Sequence, residues 1–331
     1  MSVPEEILYL TDVDVKQTLS VAEAVDLAEK GIKADAAGLV TGDKFYMDVG
    51  SNGFIKPFSG YLAGEEYVFI KTFSYFPNNP ANFDRPTTSS MVLLFDAESG
   101  MPVCTMEASY VTGLKTAAST AVTAAYLAKR GSKKVTIFGA GTLGRLHLLA
   151  LAERFQLERA FYVDILPEVA QKCAHELELR LGFPVKAVLL ENREGAVRES
   201  EIIITVTTGN QALVEYEWLQ TGTFIARLGS YQEVALEVVL NADKVVVDNW
   251  HYVNPRIPEI IHLVNEGRFG ESNIYASWSD IVGERIPGRE NDQETILFIA
   301  LGIWGEYAAI LPEVYRRAKT QGLGQILPCC L

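Results

Sequence analysis

A glycine-rich segment near the middle of the chain has the residue types and spacing of a phosphate-binding loop. In VTIFGAGTLG, Gly139, Gly141 and Gly144 follow a short apolar run and open a stretch that favours a helix. Such glycines permit a tight turn, close approach of a pyrophosphate and close helix packing, in that order. The pyrophosphate would bind the free N–H groups of the helix N-terminus. The predicted contacts are Gly139, Ala140, Gly141, Thr142, Leu143 and Gly144.

Asp164 ends the next predicted strand, 20 residues after Gly144. A carboxylate at this separation is expected to accept a hydrogen bond from a ribose 2′-hydroxyl. It would repel a 2′-phosphate, and Ile165, Leu166 and Pro167 follow it in place of an arginine. The segment therefore predicts NAD as cofactor, in preference to NADP. The alternative is a glycine turn with no ligand.

A threonine-rich segment closes another predicted strand, at the sheet edge where cofactors bind in such folds. Its sequence is TVTTG, from Thr205 to Gly209. We expect Thr205, Thr207 and Thr208 to line the nicotinamide side of the cofactor. A polar strand end without a ligand is the alternative.

The elements that must position these residues alternate between strand and helix. This alternation predicts a parallel sheet covered by helices, a doubly wound Rossmann fold. The predicted strands are 133–138, 159–164, 185–190, 201–206, 223–228 and 244–248, and the predicted helices between the first of them are 143–155 and 168–181. A last helix is predicted over Asp292–Lys319, with Glu290, Asp292 and Glu294 at its charged start.

The first third of the chain predicts a mixed α+β domain. A helix is expected over 19–36 and a strand over 66–76. Two apolar runs, 90–95 and 101–106, flank a turn-forming segment and predict a hairpin, and an alanine-rich helix is expected over 108–130. With 331 residues, two domains are the natural expectation.

Composition and charge exclude several classes of function. The formal net charge of −13 opposes nucleic acid and anionic lipid, so neither nucleic-acid nor membrane binding is expected. MSVPEEILYL lacks the pattern of a secretory signal, and we expect a cytoplasmic protein. The chain has four cysteines, namely Cys104, Cys173, Cys329 and Cys330. Their spacing is not that of metal ligands, so we expect free thiols and no metal site. The four histidines are scattered, and His147 and His175 are assigned to helix surfaces.

Taken together, five segments resemble the ornithine cyclodeaminase and mu-crystallin family over nearly the whole chain. They are FIKTFSYFPNNP, MVLLFDAESGMPV, LKTAASTAVTAAYLA, VTIFGAGTLG and GRENDQETILF. The resemblance implies a nicotinamide cofactor, a small amino-acid or imino-acid substrate and a homodimer. It also implies a substrate-binding and dimerisation domain of 1–118 with 305–331, and an NAD(P)-binding Rossmann domain of 119–304. It places GRENDQET near the cofactor.

The resemblance also implies the residues of the substrate pocket. Lys71 would be the catalytic lysine, and partial burial would lower its pKa toward a useful acid or base. Lys44 and Lys115 fall where the family carries arginines that clamp the substrate carboxylate. An ammonium offers a point charge in place of two parallel hydrogen bonds, so we expect a different substrate fit. For Lys44 and Lys71, a surface position is the alternative.

A further departure concerns the catalytic aspartate that the family's cyclodeaminases carry after a glycine pair. The corresponding stretch here is Leu228-Gly229-Ser230-Tyr231, and Tyr231 could donate a proton or a hydrogen bond but would not replace an ionised acid. The favoured interpretation is an imino-acid reductase or amino-acid dehydrogenase that uses Lys71 and Tyr231. An ammonia-releasing cyclodeaminase and a non-enzymatic ligand-binding protein remain the alternatives.

Overall fold

The computed structural model describes residues 6–328, which form two compact units. The first unit contains the described residues up to Lys115 and those from Trp304 onward. The second unit is Thr116–Ile303. The chain therefore leaves the first unit, completes the second, and then returns to the first.

The order of elements changes at Lys134. The elements before it are β1 (Glu6–Leu10), α1 (Asp12–Lys16), α2 (Val21–Ala36), β2 (Val40–Lys44), β3 (Met47–Asp48), β4 (Phe54–Leu62), β5 (Tyr67–Tyr75), α3 (Asn79–Phe83), β6 (Thr88–Asp96), β7 (Pro102–Glu107) and α4 (Ser109–Leu127). Strands and helices then alternate through β8 (Lys134–Phe138), α5 (Thr142–Ala152), β9 (Arg159–Val163), α6 (Pro167–Leu181), β10 (Val185–Val188), α7 (Arg193–Glu199), β11 (Ile202–Thr205), β12 (Phe224–Arg227), α8 (Leu236–Asn241), β13 (Lys244–Val247), α9 (Trp250–Val253), α10 (Pro258–Asn265), β14 (Ala276–Ser277), α11 (Trp278–Val282) and β15 (Ile296–Ile299). The described chain ends with α12 (Gly305–Gln321) and β16 (Gln325–Pro328).

The first unit is built on one mixed sheet. Its strand order is β16-β1-β7-β6-β5-β4-β2, with β3 paired to β4. Only the pairing of β1 with β7 is parallel among the described strands of this sheet. The predicted hairpin is confirmed, because β6 and β7 pair in antiparallel register.

The second unit is built on a parallel sheet. Its strand order is β10-β9-β8-β11-β12-β15-β13-β14, and every pairing between these strands is parallel. The chain order reverses between β8 and β11, which creates the switch point where such folds bind ligands. The predicted Rossmann fold is therefore confirmed. The glycine loop follows β8 and the threonine segment follows β11, so both lie at this switch point.

The central strands are buried on both faces, as a sheet covered by helices requires. All residues of β11, β12, β13 and β15 are buried. Their aliphatic side chains form the core of the unit. This rigid sheet fixes the loops that follow each strand.

The prediction of one helix over Asp292–Lys319 is wrong in its first part. Residues Ile296–Ile299 form β15, which lies between β12 and β13, and the helix begins only at Gly305. A buried parallel strand consists of consecutive apolar residues, and ILFI cannot be told from helix by periodicity. Glu290 and Glu294 accordingly do not start a helix; both form ion pairs with the Lys244 ammonium, at 2.7 and 3.0 Å.

Several general features of the described chain bear on function. No helix within residues 6–328 is long and apolar enough to cross a membrane. The same residues contain no cluster of three or more His, Cys, Asp or Glu arranged to hold a metal ion. Cys104 and Cys173 are free and buried, whereas Cys329 and Cys330 lie outside the described residues.

Candidate active site

The glycine loop of the second unit has the backbone geometry that a dinucleotide needs. Gly139 has a φ of +99°, and a Cβ there would lie 2.8 Å from the Val206 carbonyl oxygen. A Cβ on Gly144 would lie 1.9 Å from the Gly139 carbonyl oxygen, so helix α5 packs directly on the turn. A Cβ on Gly141, by contrast, would meet nothing within 4 Å. The open space is therefore at the glycine that must admit a pyrophosphate.

Helix α5 begins with N–H groups available to an anion. Gly141 is its N-cap and provides no side-chain cap, and the helix runs for 11 residues. Thr142 is exposed and Leu143 is half-buried at this end. A helix start without a side-chain cap leaves backbone donors that a phosphate can satisfy. The residues present therefore fit the pyrophosphate of a dinucleotide.

Asp164 is tied to the glycine loop. One of its carboxylate oxygens accepts from the Ala140 N–H at 2.8 Å, and the other accepts from the Leu166 N–H at 3.0 Å. Each carboxylate oxygen has a second lone pair, so these bonds leave acceptor capacity for a sugar hydroxyl. The half-buried carboxylate thus links the end of β9 to the turn after β8.

A buried carboxylate that sequence reasoning missed lies at the switch point. Glu233 is completely buried, and it accepts from the Thr205 hydroxyl at 2.7 Å. It also accepts from the Thr207 N–H and hydroxyl, at 2.7 and 2.8 Å, and from the Gly229 N–H at 2.7 Å. The hydroxyls of Thr205 and Thr207 therefore bind Glu233. Thr208 is exposed.

The loop that carries Glu233 is anchored by a buried ion pair. Arg227 and Glu259 are both fully buried, with 3.0 Å between guanidinium and carboxylate. Arg227 also donates to the carbonyls of Gly229 and Tyr231. Glu259 accepts from the Glu233 N–H at 2.9 Å. Tyr231 is half-buried on this loop, with its backbone fixed by Arg227.

Replacing Glu233 tests whether this carboxylate shapes the cofactor loops. Glu233→Gln replaces one of the two carboxylate oxygens by an amide nitrogen, which cannot accept a hydrogen bond from the hydroxyl or N–H groups around it. The buried donors left without an acceptor should lower the free energy of unfolding by about 1–3 kcal/mol. We expect a lower Tm and weaker NADH binding, measured by thermal unfolding and fluorescence titration. Glu237→Gln, at an exposed position on α8, is the matched control. Equal Tm and NADH affinity in both variants would contradict this role.

In the first unit, Lys71 projects from the middle of the sheet into a buried aromatic environment. It lies on β5 opposite Phe58 of β4 and is only 1% exposed. Its Nζ lies 5.7, 5.3 and 5.1 Å from the ring centroids of Phe58, Phe73 and Tyr307. It donates to the Ser90 hydroxyl at 3.3 Å. Lys71 is therefore a buried residue, and the alternative of a surface position is wrong.

The surroundings of Lys71 poise it for proton transfer. Burial, and to a smaller extent the nearby Lys115 ammonium, lower its pKa from the usual 10.5 to about 7. A group with a pKa near neutrality is present in both protonation states at physiological pH. Such a group can act as a general acid in one direction of a reaction and as a general base in the other.

Lys44 and Lys115 are also buried in this unit. Lys44 ends β2 opposite Phe58 and is 3% exposed, with its Nζ 5.2 Å from the Phe58 centroid. Lys115, on α4, forms a 2.8 Å ion pair with Glu306 of α12 and lies 4.7 Å from the Tyr307 centroid. The three lysines thus converge on one aromatic cluster, and Lys115 has a buried carboxylate beside it.

A fourth buried lysine, Lys56, belongs to the same group. It lies on β4 opposite Phe73 and is 8% exposed. Its Nζ lies 4.8 and 5.1 Å from the Phe58 and Phe73 centroids. Sequence reasoning did not single it out, although the alternation of FIKPFSGYL places Lys56 and Phe58 on one face of the strand. We refer to Lys44, Lys56, Lys71 and Lys115 as the lysine cluster.

One histidine differs from its prediction. The prediction of a helix-surface position for His147 is wrong. The residue is completely buried, with its ring nitrogens 2.8 Å from the Leu143 carbonyl oxygen and 3.2 Å from the Thr120 hydroxyl. Burial lowers its pKa to about 4, so it is neutral near pH 7. The buried face of α5 can include His147 because both nitrogen atoms of the imidazole ring have hydrogen-bond partners inside the protein. His175 is exposed on α6, as predicted.

Comparison with known proteins identifies the family. The model of the ornithine cyclodeaminase/mu-crystallin family matches residues 5–322. The chain belongs to this family. The resemblance seen in its sequence motifs is thereby confirmed, and the match includes residues of both units.

Among the similar curated and solved relatives in the ornithine cyclodeaminase/mu-crystallin family are reductases and dehydrogenases. The N-((2S)-2-amino-2-carboxyethyl)-L-glutamate dehydrogenase of Staphylococcus aureus is 34% identical over 269 residues, covering 81% of this chain and 80% of that protein. The solved Thermococcus litoralis Δ1-pyrroline-2-carboxylate reductase, in complex with NADH and L-proline, has a TM-score of 0.91 and 31% identity over 96% of this chain and 99% of that chain. An archaeal alanine dehydrogenase dimer with bound NAD has a TM-score of 0.89 and 27% identity over 97% of this chain and 99% of that chain.

Proposed function

We propose that this protein is an NAD-dependent oxidoreductase that reduces a small imino acid, a ketimine, to the corresponding amino acid, and that also catalyses the reverse oxidation. The observation that carries the proposal is Lys71, a buried lysine with a pKa of about 7 in a chain of this family with an intact glycine loop. Proton transfer at nitrogen is the step that such a lysine can perform.

The second unit holds the cofactor in this proposal. Gly139–Gly144 bind the pyrophosphate, Asp164 accepts from the adenosine ribose, and Thr205, Thr207 and Thr208 lie beside the nicotinamide. When bound, NAD supplies a hydride acceptor, and its reduced form supplies the hydride. The carboxylate of Asp164 would repel a 2′-phosphate, which favours NAD over NADP. The solved relatives with NADH or NAD support this choice.

The lysine cluster holds the substrate in this proposal. Lys44 and Lys115 bind its carboxylate, and Lys115 is also held by the 2.8 Å ion pair with Glu306. Reduction forms a C–H bond from the hydride and an N–H bond from a proton, while the C=N π bond is lost. Lys71 supplies that proton and takes it back in the oxidation. Tyr231 is proposed as a further hydrogen-bond donor to the reacting groups.

A homodimer in the cytoplasm is also part of the proposal. Ile70, Met91 and Leu93 are about two-fifths exposed on β5 and β6, on the face opposite Lys71, and a partner subunit would cover them. The dimeric state of the archaeal alanine dehydrogenase supports this assembly. The free thiols of Cys104 and Cys173 agree with a reducing compartment.

The pH dependence of turnover in both directions tests the proposal. Reduction needs protonated Lys71, so kcat/KM should fall as pH rises through about 7. Oxidation needs neutral Lys71, so kcat/KM should rise through the same pH. Δ1-Pyrroline-2-carboxylate with NADH, and L-proline with NAD, are suitable first substrates, followed by changes in NADH absorbance. Ammonia release from L-ornithine with no net change in NADH would instead indicate a cyclodeaminase.

A further inference from the structure

A buried serine hydroxyl lies against the Lys71 ammonium. Ser90, on β6, is 5% exposed, and its Oγ is 3.3 Å from Lys71 Nζ. The rings of Phe58, Phe73 and Tyr307 surround the same Nζ at 5.1–5.7 Å from their centroids. A ring face attracts a cation, but a hydroxyl oxygen accepts a particular N–H. Ser90 therefore gives the Lys71 Nζ a direction that the rings do not give.

The strand register explains why Ser90 meets Lys71. Ser90 pairs with Phe73 across β6 and β5, and Phe73 is two residues from Lys71 on β5. Side chains two residues apart on a strand point to the same face, so Ser90 and Lys71 are diagonal neighbours on one face of the sheet. A long side chain can reach across this diagonal. Val92, the residue directly opposite Lys71, has no polar side-chain atom to offer.

Ser90 is itself held where β6 approaches the start of α4. Its carbonyl oxygen accepts from the Ala108 N–H at 2.9 Å, and α4 begins at the next residue. Thr112, in the first turn of α4, donates its hydroxyl to the Ala108 carbonyl oxygen and lies 3.5 Å from Ser90 Oγ. The backbone and the side chain of Ser90 are therefore both tied to α4. The hydroxyl that meets Lys71 belongs to a fixed framework.

A hydroxyl can bond to Lys71 in both of its protonation states. Its oxygen accepts from the ammonium, and its O–H group can donate to the lone pair of the neutral amine. Hydrogen bonds to a charged group stabilise more than those between neutral groups, so Ser90 favours the ammonium over the amine. Lys71 is 1% exposed, and this hydroxyl stands in for water that burial removes.

We propose that Ser90 is a positioning residue for proton transfer by Lys71, which holds the Lys71 Nζ in one place while the proton leaves and returns. This inference rests on the proposed function and adds a residue to its acid–base chemistry. The proton that moves to and from the substrate nitrogen is the one carried by Lys71. Ser90 keeps its own proton and changes from acceptor to donor as Lys71 becomes neutral.

Ser90→Ala removes this hydroxyl and tests the inference by steady-state kinetics with Δ1-pyrroline-2-carboxylate and NADH. We expect kcat to fall by about tenfold to a hundredfold and KM to change by less than about threefold, because the proton donor is misplaced while substrate binding is retained. Ser90→Thr should keep most of the turnover, since it retains the hydroxyl and suits a strand. Ser89→Ala is the matched control, because Ser89 is exposed and its hydroxyl bonds to Ser74.

The pH profile separates positioning from packing. Ser90→Ala takes more stabilisation from the ammonium than from the amine, so the pKa of Lys71 should fall by about one further unit. The midpoint of kcat/KM should therefore move about one unit lower, both for reduction, which needs the ammonium, and for oxidation, which needs the amine. The other titratable groups around this aromatic cluster are unchanged in the variant; they are Lys44, Lys56, Lys115, Glu306 and Tyr307. Lower turnover with an unmoved midpoint would make Ser90 a packing residue and overturn the inference.

A second measurement needs no substrate. In protein with ¹³C-labelled lysine, the Lys71 Cε signal, assigned by its loss in Lys71→Met, reports the titration of Lys71 by NMR. Its midpoint should fall by about one pH unit in Ser90→Ala and stay at the wild-type value in Ser89→Ala. Ser90→Cys, which fills the space with a weak acceptor, should behave like Ser90→Ala and replaces it where the alanine variant does not fold.

The outcomes distinguish this inference from the function on which it rests. Wild-type turnover and an unmoved Lys71 titration in Ser90→Ala overturn the inference, while an inactive Lys71→Met variant leaves the proposed function intact. Absence of NADH oxidation with Δ1-pyrroline-2-carboxylate and every other imino acid tested contradicts the proposed function. The catalytic meaning of Ser90 then fails with it, even where the Lys71 titration shifts.

Discussion

Lys71→Met is expected to reduce kcat by about 100- to 10,000-fold, the usual contribution of a positioned general acid or base. The substitution removes the ammonium that supplies the nitrogen proton and leaves the glycine loop of the second unit unaltered. NADH should therefore still bind, as measured by fluorescence titration. Steady-state kinetics with Δ1-pyrroline-2-carboxylate measure the loss. Turnover within a few-fold of wild type would contradict the catalytic role of Lys71.

The same variant should be more stable than the wild-type protein. The folded state holds Lys71 with a pKa of about 7, whereas the unfolded chain has the usual 10.5. As pH falls from 10.5 to 7, the unfolded state takes up a proton that the folded state does not, so the lysine costs stability, on the order of a few kcal/mol. We expect the Tm gain of Lys71→Met to be largest at or below pH 7 and to decline toward pH 10. Lys30→Met, at an exposed position on α2, is the control and should change neither Tm nor turnover appreciably.

Gly141→Ala is expected to weaken NADH binding by about tenfold to a hundredfold, which corresponds to about 1.4–2.8 kcal/mol. The new methyl group meets nothing within 4 Å, so the fold has no reason to change. The methyl would instead occupy the space through which a pyrophosphate approaches the backbone. Fluorescence titration gives the dissociation constant, and thermal unfolding without cofactor gives the stability.

A second glycine provides the matched control for this variant. Gly195 lies within α7, and a Cβ there also meets nothing within 4 Å. Gly195→Ala should leave NADH affinity unchanged and raise stability slightly, since alanine favours a helix. Equal NADH affinity in the two variants would place the dinucleotide elsewhere. A large fall in the Tm of Gly141→Ala would show instead that the loop itself was disturbed.

The features predicted correctly from the sequence are those whose partners are close in the chain. Gly139, Gly141 and Gly144 lie within one turn, between a strand and a helix that their own residues indicate. The alternation of strands and helices after Lys133 predicted the parallel sheet because each strand and each helix is indicated by its own residues. Local propensity and spacing are sufficient where the interacting residues are near neighbours in sequence.

The features that could not be predicted from the sequence depend on residues that are far apart in the chain. Glu233 accepts hydrogen bonds from Thr205 and Thr207, which only the pairing of β11 with β12 brings near it. The ion pair of Lys115 with Glu306 joins two helices whose paired residues are separated in sequence by the whole second unit. Lys56 required the register of β4 with β5 before its burial could be recognised. Tertiary packing, which one sequence does not reveal, decides all three.

The misassigned helix shows a different limit. ILFI is apolar at every position, so neither the helical period nor strand alternation applies to it. Only its place between β12 and β13 in the sheet explains why it is extended. Periodicity alone therefore does not distinguish a short buried strand from a helix at this position.

The discontinuous first unit has a consequence for biosynthesis. The ribosome makes Lys71 and Lys115 early, but Glu306 and Tyr307, which cover them, arrive on α12 only after the whole Rossmann unit has emerged. During translation the two lysines therefore remain hydrated and fully basic. The burial that lowers the pKa of Lys71 includes its contact with Tyr307 on the returning helix, so a nascent chain cannot complete that burial before α12 has been made.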